Sequence, residues 1–266
     1  MKVLLYYSIQ ALSLLLMFIM VTCSPNVTAL RNAPPEEQFA FGKQLFERED
    51  YLNAQIMFDR LARLNIISEY ADSTQYYLAE SYYLTNEFIL AQSEYMRLIQ
   101  RMPGSPLARD SMFKIGLCFY NMSPRPTLDQ EYTESAMRAF VQYLSTFPDD
   151  TEYRDEVDRY ILELRGKLAE KDFYNAEIYR KMGDYESAVI YYDVVLGEYY
   201  DTEVAARALY RKAQALLELE RFSDAQEALQ IFLRNFPEHE LIFEVNEKML
   251  EIKADISKID TLNLQF

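Results

Sequence analysis

Alanines 54, 91, 136, 188 and 225 recur in one local setting, and that recurrence confines the chain to a fold built from repeated helical units. Four of them follow an aromatic by three residues and precede a bulky residue by four: Tyr51/Ala54/Phe58, Phe88/Ala91/Tyr95, Tyr185/Ala188/Tyr192 and Phe222/Ala225/Leu229. The middle unit, Tyr132/Ala136/Phe140, breaks the first spacing by one residue. Intervals between the alanines are 37, 45, 52 and 37 residues. Twelve residues before the alanine stands a second small residue: Gly42, Ala79, Ala176 and Ala213. In the middle unit Gly116 has this role 20 residues ahead, and the stretch from Met122 to Gln130 holds the eight extra residues. Pro103, Pro148 and Pro237 close three of the units, about twelve residues after their alanines. Small residues let two antiparallel helices approach closely, aromatics fill the space between one pair and the next, and proline stops the second helix.

This pattern resembles the tetratricopeptide repeat. It predicts an all-α chain: a right-handed superhelix of five tetratricopeptide-like helix pairs with a C-terminal capping helix. Composition agrees, since only six glycines occur and the nine prolines are spread out. The 52-residue interval predicts a lengthened helix between Glu152 and Lys171, with Val157, Ile161, Leu164 and Leu168 on one stripe. After Pro237 a last amphipathic helix carries Leu241, Val245, Met249, Ile252 and Ile256 on one face, and its polar opposite face suits a terminal cap. Residues 36–150 read as repeats 1–3, residues 151–259 as repeats 4–5 with the cap, and residues 260–266 as a tail.

The first 22 residues read as an export signal: Lys2 gives a positive start and Val3 to Val21 is almost continuously apolar. Such a stretch is long enough to span a bilayer as an uncleaved anchor. Its end, Met20-Val21-Thr22-Cys23, resembles a bacterial lipobox, which favours cleavage before Cys23 and a lipoprotein signal peptide over 1–22. That resemblance implies a covalent diacylglycerol and N-acyl lipid on Cys23, which anchor a membrane protein firmly. Residues 23–35, with Pro25, Pro34 and Pro35, then form a lipidated flexible tether.

Chemistry of the catalytic kind is missing from the sequence. The sole histidine, His239, lies between two glutamates, and no Cys/His cluster, Walker-type loop or G-x-S-x-G elbow occurs. No metal site, cofactor or enzymatic activity is expected. Cys118 sits in an apolar helical run as a small hydrophobe. A net charge of −15 repels phosphate backbones, so nucleic acid is not an expected partner.

Function is expected on a binding surface. Three residues before each small marker stand Phe39, Tyr76, Phe113, Phe173 and Tyr210; four residues after it stand Phe46, Tyr83, Tyr120, Arg180 and Leu217. The first three repeats therefore carry two aromatics each on one helix face. Two readings stay open: the rings pack between repeats, or Phe39, Phe46, Tyr76, Tyr83, Phe113 and Tyr120 line a groove for an extended or aromatic-ended peptide.

Two longer stretches carry a closer resemblance. They are Leu128-Asp129-Gln130-Glu131-Tyr132-Thr133 through Phe140-Val141-Gln142-Tyr143 to Phe147-Pro148, and Leu164-Arg165-Gly166-Lys167-Leu168-Ala169-Glu170-Lys171 followed by Ala176, Tyr179, Gly183-Asp184-Tyr185 and Ala188. With five repeats and an N-terminal lipid cysteine, they resemble the BamD family, tetratricopeptide lipoproteins of the outer-membrane β-barrel assembly machinery. The resemblance implies a scaffold on the periplasmic face of the outer membrane, held there by its lipid anchor. It implies partners too: the barrel-inserting subunit through its periplasmic domain, accessory lipoproteins, and unfolded outer-membrane proteins met by the aromatic-rich first repeats. The alternative is a periplasmic tetratricopeptide-repeat adaptor in cell-envelope or division coordination.

Overall fold

In a computed structural model, residues 33–64 and 69–263 are described, with side chains through 254. Cys23, the export signal and most of the tether lie outside the described residues. The described residues form eleven α-helices and no strand. Five helix pairs follow one another: α1 (Pro35–Glu47) with α2 (Tyr51–Arg63), α3 (Ala71–Leu84) with α4 (Phe88–Arg101), and α5 (Ala108–Met122) with α6 (Glu131–Thr146). Then come α7 (Arg154–Lys181) with α8 (Tyr185–Glu198), α9 (Glu203–Glu218) with α10 (Phe222–Asn235), and a final helix α11 (Ile242–Asn263). None of the described helices is long and apolar enough to cross a membrane.

The chain divides into two compact units, one ending at Leu107 and one starting at Ala108. That division falls one helix pair before the boundary at 150 drawn from the sequence. The segment between α4 and α5 carries Pro103, Gly104 and Pro106, which forbid a continuous helix.

Turn chemistry explains the spacing of the repeats. In four pairs the second helix starts on the recurring aromatic itself: Tyr51, Phe88, Tyr185 and Phe222. Two residues earlier the backbone is left-handed, at Glu49 (φ 62°), Asn86 (φ 62°), Gly183 (φ 80°) and Glu220 (φ 59°). Each such residue closes the first helix by the same two bonds. At Glu49, for example, its N–H donates to the Phe46 carbonyl at 2.9 Å and the Asp50 N–H to the Leu45 carbonyl at 2.9 Å. Only Gly183 adopts that conformation without strain. We expect Glu220→Gly, at an exposed turn, to stabilise the chain by about 0.5–1 kcal/mol, the relief of left-handed strain exceeding the added unfolded-state entropy. Urea titration checks this, and an unchanged midpoint would refute it.

The third pair lacks this turn. Its long connection is held by Gln130, whose amide nitrogen donates to the carbonyls of Arg125 and Leu128, each at 3.0 Å. Thr133, wholly buried, takes the place the aromatic holds elsewhere, and Tyr132 is displaced to the surface, 38 % exposed. That is why the spacing slips by one.

The fourth unit differs from expectation in a second way. The lengthened helix and the first helix of the fourth pair are one continuous 28-residue helix, α7, because no proline interrupts 152–181. Val157 and Leu164 are buried on it as the stripe predicted. In α11, Val245, Met249 and Ile252 are buried, but Phe243 (82 % exposed) and Leu250 (68 % exposed) make the outer face less polar than a simple cap requires.

Candidate interaction surfaces

The small markers do what their size implies. A Cβ on Gly42 would stand 2.9 Å from Phe58 Cε1, and one on Gly116 only 2.4 Å from Phe140 Cε1. The three alanine markers, Ala79, Ala176 and Ala213, are wholly buried. Where the marker is glycine, the facing residue on the second helix is phenylalanine. Where it is Ala79 or Ala176, that residue is tyrosine, and its hydroxyl donates to the carboxylate right after the alanine. Tyr95 bonds Glu80, and Tyr192 bonds Glu177 Oε1 at 2.5 Å. These two Tyr–Glu pairs, each with a wholly buried tyrosine, were missed in the sequence. Their signal is present, as Ala-Glu followed fifteen residues after the glutamate by tyrosine. Burial opposes the charge on Glu177, but hydrogen bonds from Arg180 and Tyr192 outweigh it and hold the carboxyl below its ordinary range.

In the first unit, four groove candidates are half-buried. Phe39 stacks on Tyr70 at 4.9 Å and also meets Phe58 and Tyr77. Phe46 stands edge-on to Tyr77 at 5.1 Å and to Tyr51 at 5.3 Å. Tyr76 meets Tyr95 at 5.8 Å, and Tyr83 meets Phe88 at 5.5 Å. All four pack against neighbouring rings and keep part of their surface open. Tyr77, stacked on Phe58 at 5.6 Å, joins the cluster without having been singled out.

The second unit treats its two candidates differently. Phe113 is 4 % exposed, stacked on Tyr153 at 4.2 Å and flanked by Phe140 and Tyr143, so packing consumes its ring. Tyr120 is half-buried against Tyr160 at 4.5 Å. Its hydroxyl donates to Glu163 at 2.5 Å, which with burial pushes the phenol up to about 12.

Near Phe113, around Tyr143 and Tyr153, lies a polar cluster. Arg109 donates to Asp150 at 3.0 Å and Glu152 at 2.6 Å, with its guanidinium 5.2 Å from the Tyr153 ring centre. Asp150 also accepts from the Tyr143 hydroxyl and the Tyr153 N–H, each at 2.9 Å.

Three basic residues of α7 fasten it to neighbouring loops. Arg165 grips Asp201 at 2.6 Å and the Glu198 carbonyl at 2.8 Å across the α8–α9 turn. Lys167 holds Ser123 Oγ at 2.8 Å, and Lys171 holds the Leu128 carbonyl at 3.3 Å. The Arg-x-Lys-Leu-Ala-x-Lys run therefore ties one helix to two loops. Between α8, α9 and α10 a trough of about 490 Å³ is lined by Leu209 and Leu216 and bridged by Lys212 to Asp193 at 2.6 Å. No group of three or more residues able to hold a metal ion occurs among the described residues.

Comparisons with known proteins agree with this architecture. A family model described as outer membrane lipoprotein matches residues 31–221, and a tetratricopeptide-repeat model matches residues 207–239. The chain is 24% identical over 204 residues to the outer membrane protein assembly factor BamD of Caulobacter vibrioides, covering 77% of this chain and 67% of that one. It is 22% identical over 224 residues to the protein of the same name from Vibrio cholerae, covering 79% of this chain and 91% of the relative.

Proposed function

The chain belongs to the outer membrane lipoprotein family whose model spans residues 31–221, and from that premise we propose that it is a non-enzymatic scaffold of outer-membrane β-barrel assembly. The observation that carries the reading is this family match across nearly all the repeats, with relatives named as assembly factors along most of their length. Acyl groups on Cys23 tether the chain to the outer membrane from the periplasmic side, which raises its effective concentration there. The carboxy-terminal repeats dock the periplasmic domain of the barrel-inserting subunit, and accessory lipoproteins join the assembly. The first unit receives unfolded outer-membrane proteins.

That last role follows from the rings of α1 and α3. Phe39, Phe46, Tyr76 and Tyr83 are fixed by their neighbours yet partly open, so an incoming aromatic meets them with little ordering cost. The test is depletion followed by complementation. Depletion should lower the level of folded outer-membrane barrels, and the native chain should restore it. A Phe46→Ala, Tyr83→Ala double variant should restore it poorly and bind an aromatic-ended barrel-strand peptide at least tenfold more weakly, while still co-purifying with the barrel-inserting subunit. Barrel levels that do not change on depletion would refute the scaffold reading.

A further inference from the structure

Within each compact unit the first helix of a later pair has a side that turns toward the pair before it, as on α3, α7 and α9, and α7 leaves part of that side open. On α3 it carries Tyr77, Ser81 and Thr85, which lie two before, two after and six after the marker Ala79. Helix α2 covers it: Tyr77 stacks on Phe58, and Gln55 donates to the Ser81 carbonyl at 3.2 Å and to Thr85 Oγ1 at 2.9 Å. On α9 the same positions include Ala215, wholly buried against the fourth pair, and Arg211, whose guanidinium reaches Glu177 of α7 at 3.8 Å.

On α7 the equivalent residues are Tyr174, Ile178 and Met182, which are 44 %, 40 % and 74 % exposed. The reason is the length of the helix. Among the described residues its partners from the third pair meet it only as far as Lys171: Tyr160 stacks on Phe140, Glu163 accepts from Tyr120, and Lys171 donates to the Leu128 carbonyl. Beyond Lys171 the side runs on for about ten residues, or roughly 15 Å, without a helix from the described residues upon it.

Solvent alone does not account for its chemistry. On α1, where the same side is exposed, the residues are Ala40, Gln44 and Arg48. On α7 they are three large apolar side chains at i, i+4 and i+8, bracketed on the same stripe by Lys171 and Lys181. Two lysines about three turns apart are notable on a chain of net charge −15.

We propose that this open face of α7 docks an amphipathic helix of a partner protein, whose apolar stripe covers Tyr174, Ile178 and Met182 and whose acidic residues, about ten positions apart, meet Lys171 and Lys181. A helix is the occupant because helices of this chain cover the same side of α3 and α9. Acidic ends are specified by charge complementarity. The inference is independent of the groove reading, since it concerns a face that α1 and α3 do not include.

The test uses the full chain and a labelled synthetic helix with leucines at i, i+4 and i+8 between two glutamates ten residues apart, followed by fluorescence anisotropy. Binding is expected, weakened at least tenfold by Ile178→Glu with Met182→Glu and unchanged by Ile190→Glu on α8. Lys181→Glu should shift preference toward the same peptide with lysines in place of the glutamates. Thermal melts of the variants should match the parent, since all these side chains are on the surface. Equal binding of a proline-interrupted peptide, equal weakening by Ile190→Glu, or no binding at all would overturn the proposal. So would displacement of the peptide by phosphatidylcholine vesicles that themselves need Ile178 and Met182, because lipid would then be the occupant.

Discussion

Replacing Gly116 by alanine is expected to destabilise the second unit by about 1–3 kcal/mol, although glycine-to-alanine inside an exposed helix ordinarily gains about 1 kcal/mol. The added carbon would lie 2.4, 2.6 and 2.9 Å from three atoms of the Phe140 ring, where unstrained contacts need at least a further half ångström. The ring has nowhere to go. It is wholly buried, lies parallel to Tyr160 at 5.3 Å and touches Phe113 at 6.2 Å, and Phe113 is itself stacked on Tyr153. Relief therefore requires α5 and α6 to separate, which opens voids along both helices. Gly166→Ala is the contrasting variant: nothing lies within 4 Å of its new carbon, so the helix-propensity gain should appear undiminished. Urea unfolding of the three proteins checks the order Gly166→Ala, parent, Gly116→Ala. Adding Phe140→Leu to Gly116→Ala should return part of the loss as a favourable coupling energy, because the smaller side chain admits the methyl group. Additive losses in that double variant would show that the close approach is not the cause.

That glycine also shows which parts of the fold were legible in the sequence. A small residue twelve before a recurrent alanine is a local signal, and it located all four regular helix pairs because each pair is closed by contacts within some forty residues. The number of pairs, the insertion in the third and the lengthening in the fourth followed from the same ruler. What escaped was set by longer-range packing. Phe113 has the sequence environment of Phe39 and Tyr76, yet it is consumed in the core because Tyr153, forty residues later, is laid across its face by α7. The left-handed turns at Glu49 and Glu220 escaped because glutamate has no preference for that conformation, whereas Gly183 advertises it. The open side of α7 was hidden because the proline-free run to Lys181 makes two expected helices into one.

Asp150 carries the other large effect. Its carboxylate is 5 % exposed and gathers three donors: the Tyr143 hydroxyl, the Tyr153 N–H and the Arg109 guanidinium. Burial alone would raise its pKa; the backbone N–H of Tyr153, then the Tyr143 hydroxyl and Arg109, reverse that and hold it below the ordinary aspartate range. Tyr143 responds in the opposite sense, its phenol pushed well above the usual value by burial and by the hydrogen bond to Asp150. Because the folded-state pKa of Asp150 is depressed, its contribution is fully present above the unfolded value near 4 and fades as pH falls through the lower folded value. Asp150→Ala should remove that contribution at neutral pH and strand the Tyr143 hydroxyl, a wholly buried donor, at a cost of about 1–3 kcal/mol for that group alone. Adding Tyr143→Phe should recover much of that part, since the stranded donor goes with it. The same variants make the acid limb diagnostic. The parent should lose stability below about pH 4, and Asp150→Ala, already lacking the charge, should show a shallower slope across that range. Denaturant midpoints measured from pH 3 to pH 7 decide it, and parallel slopes would mean that this carboxylate does not help hold the third helix pair against α7.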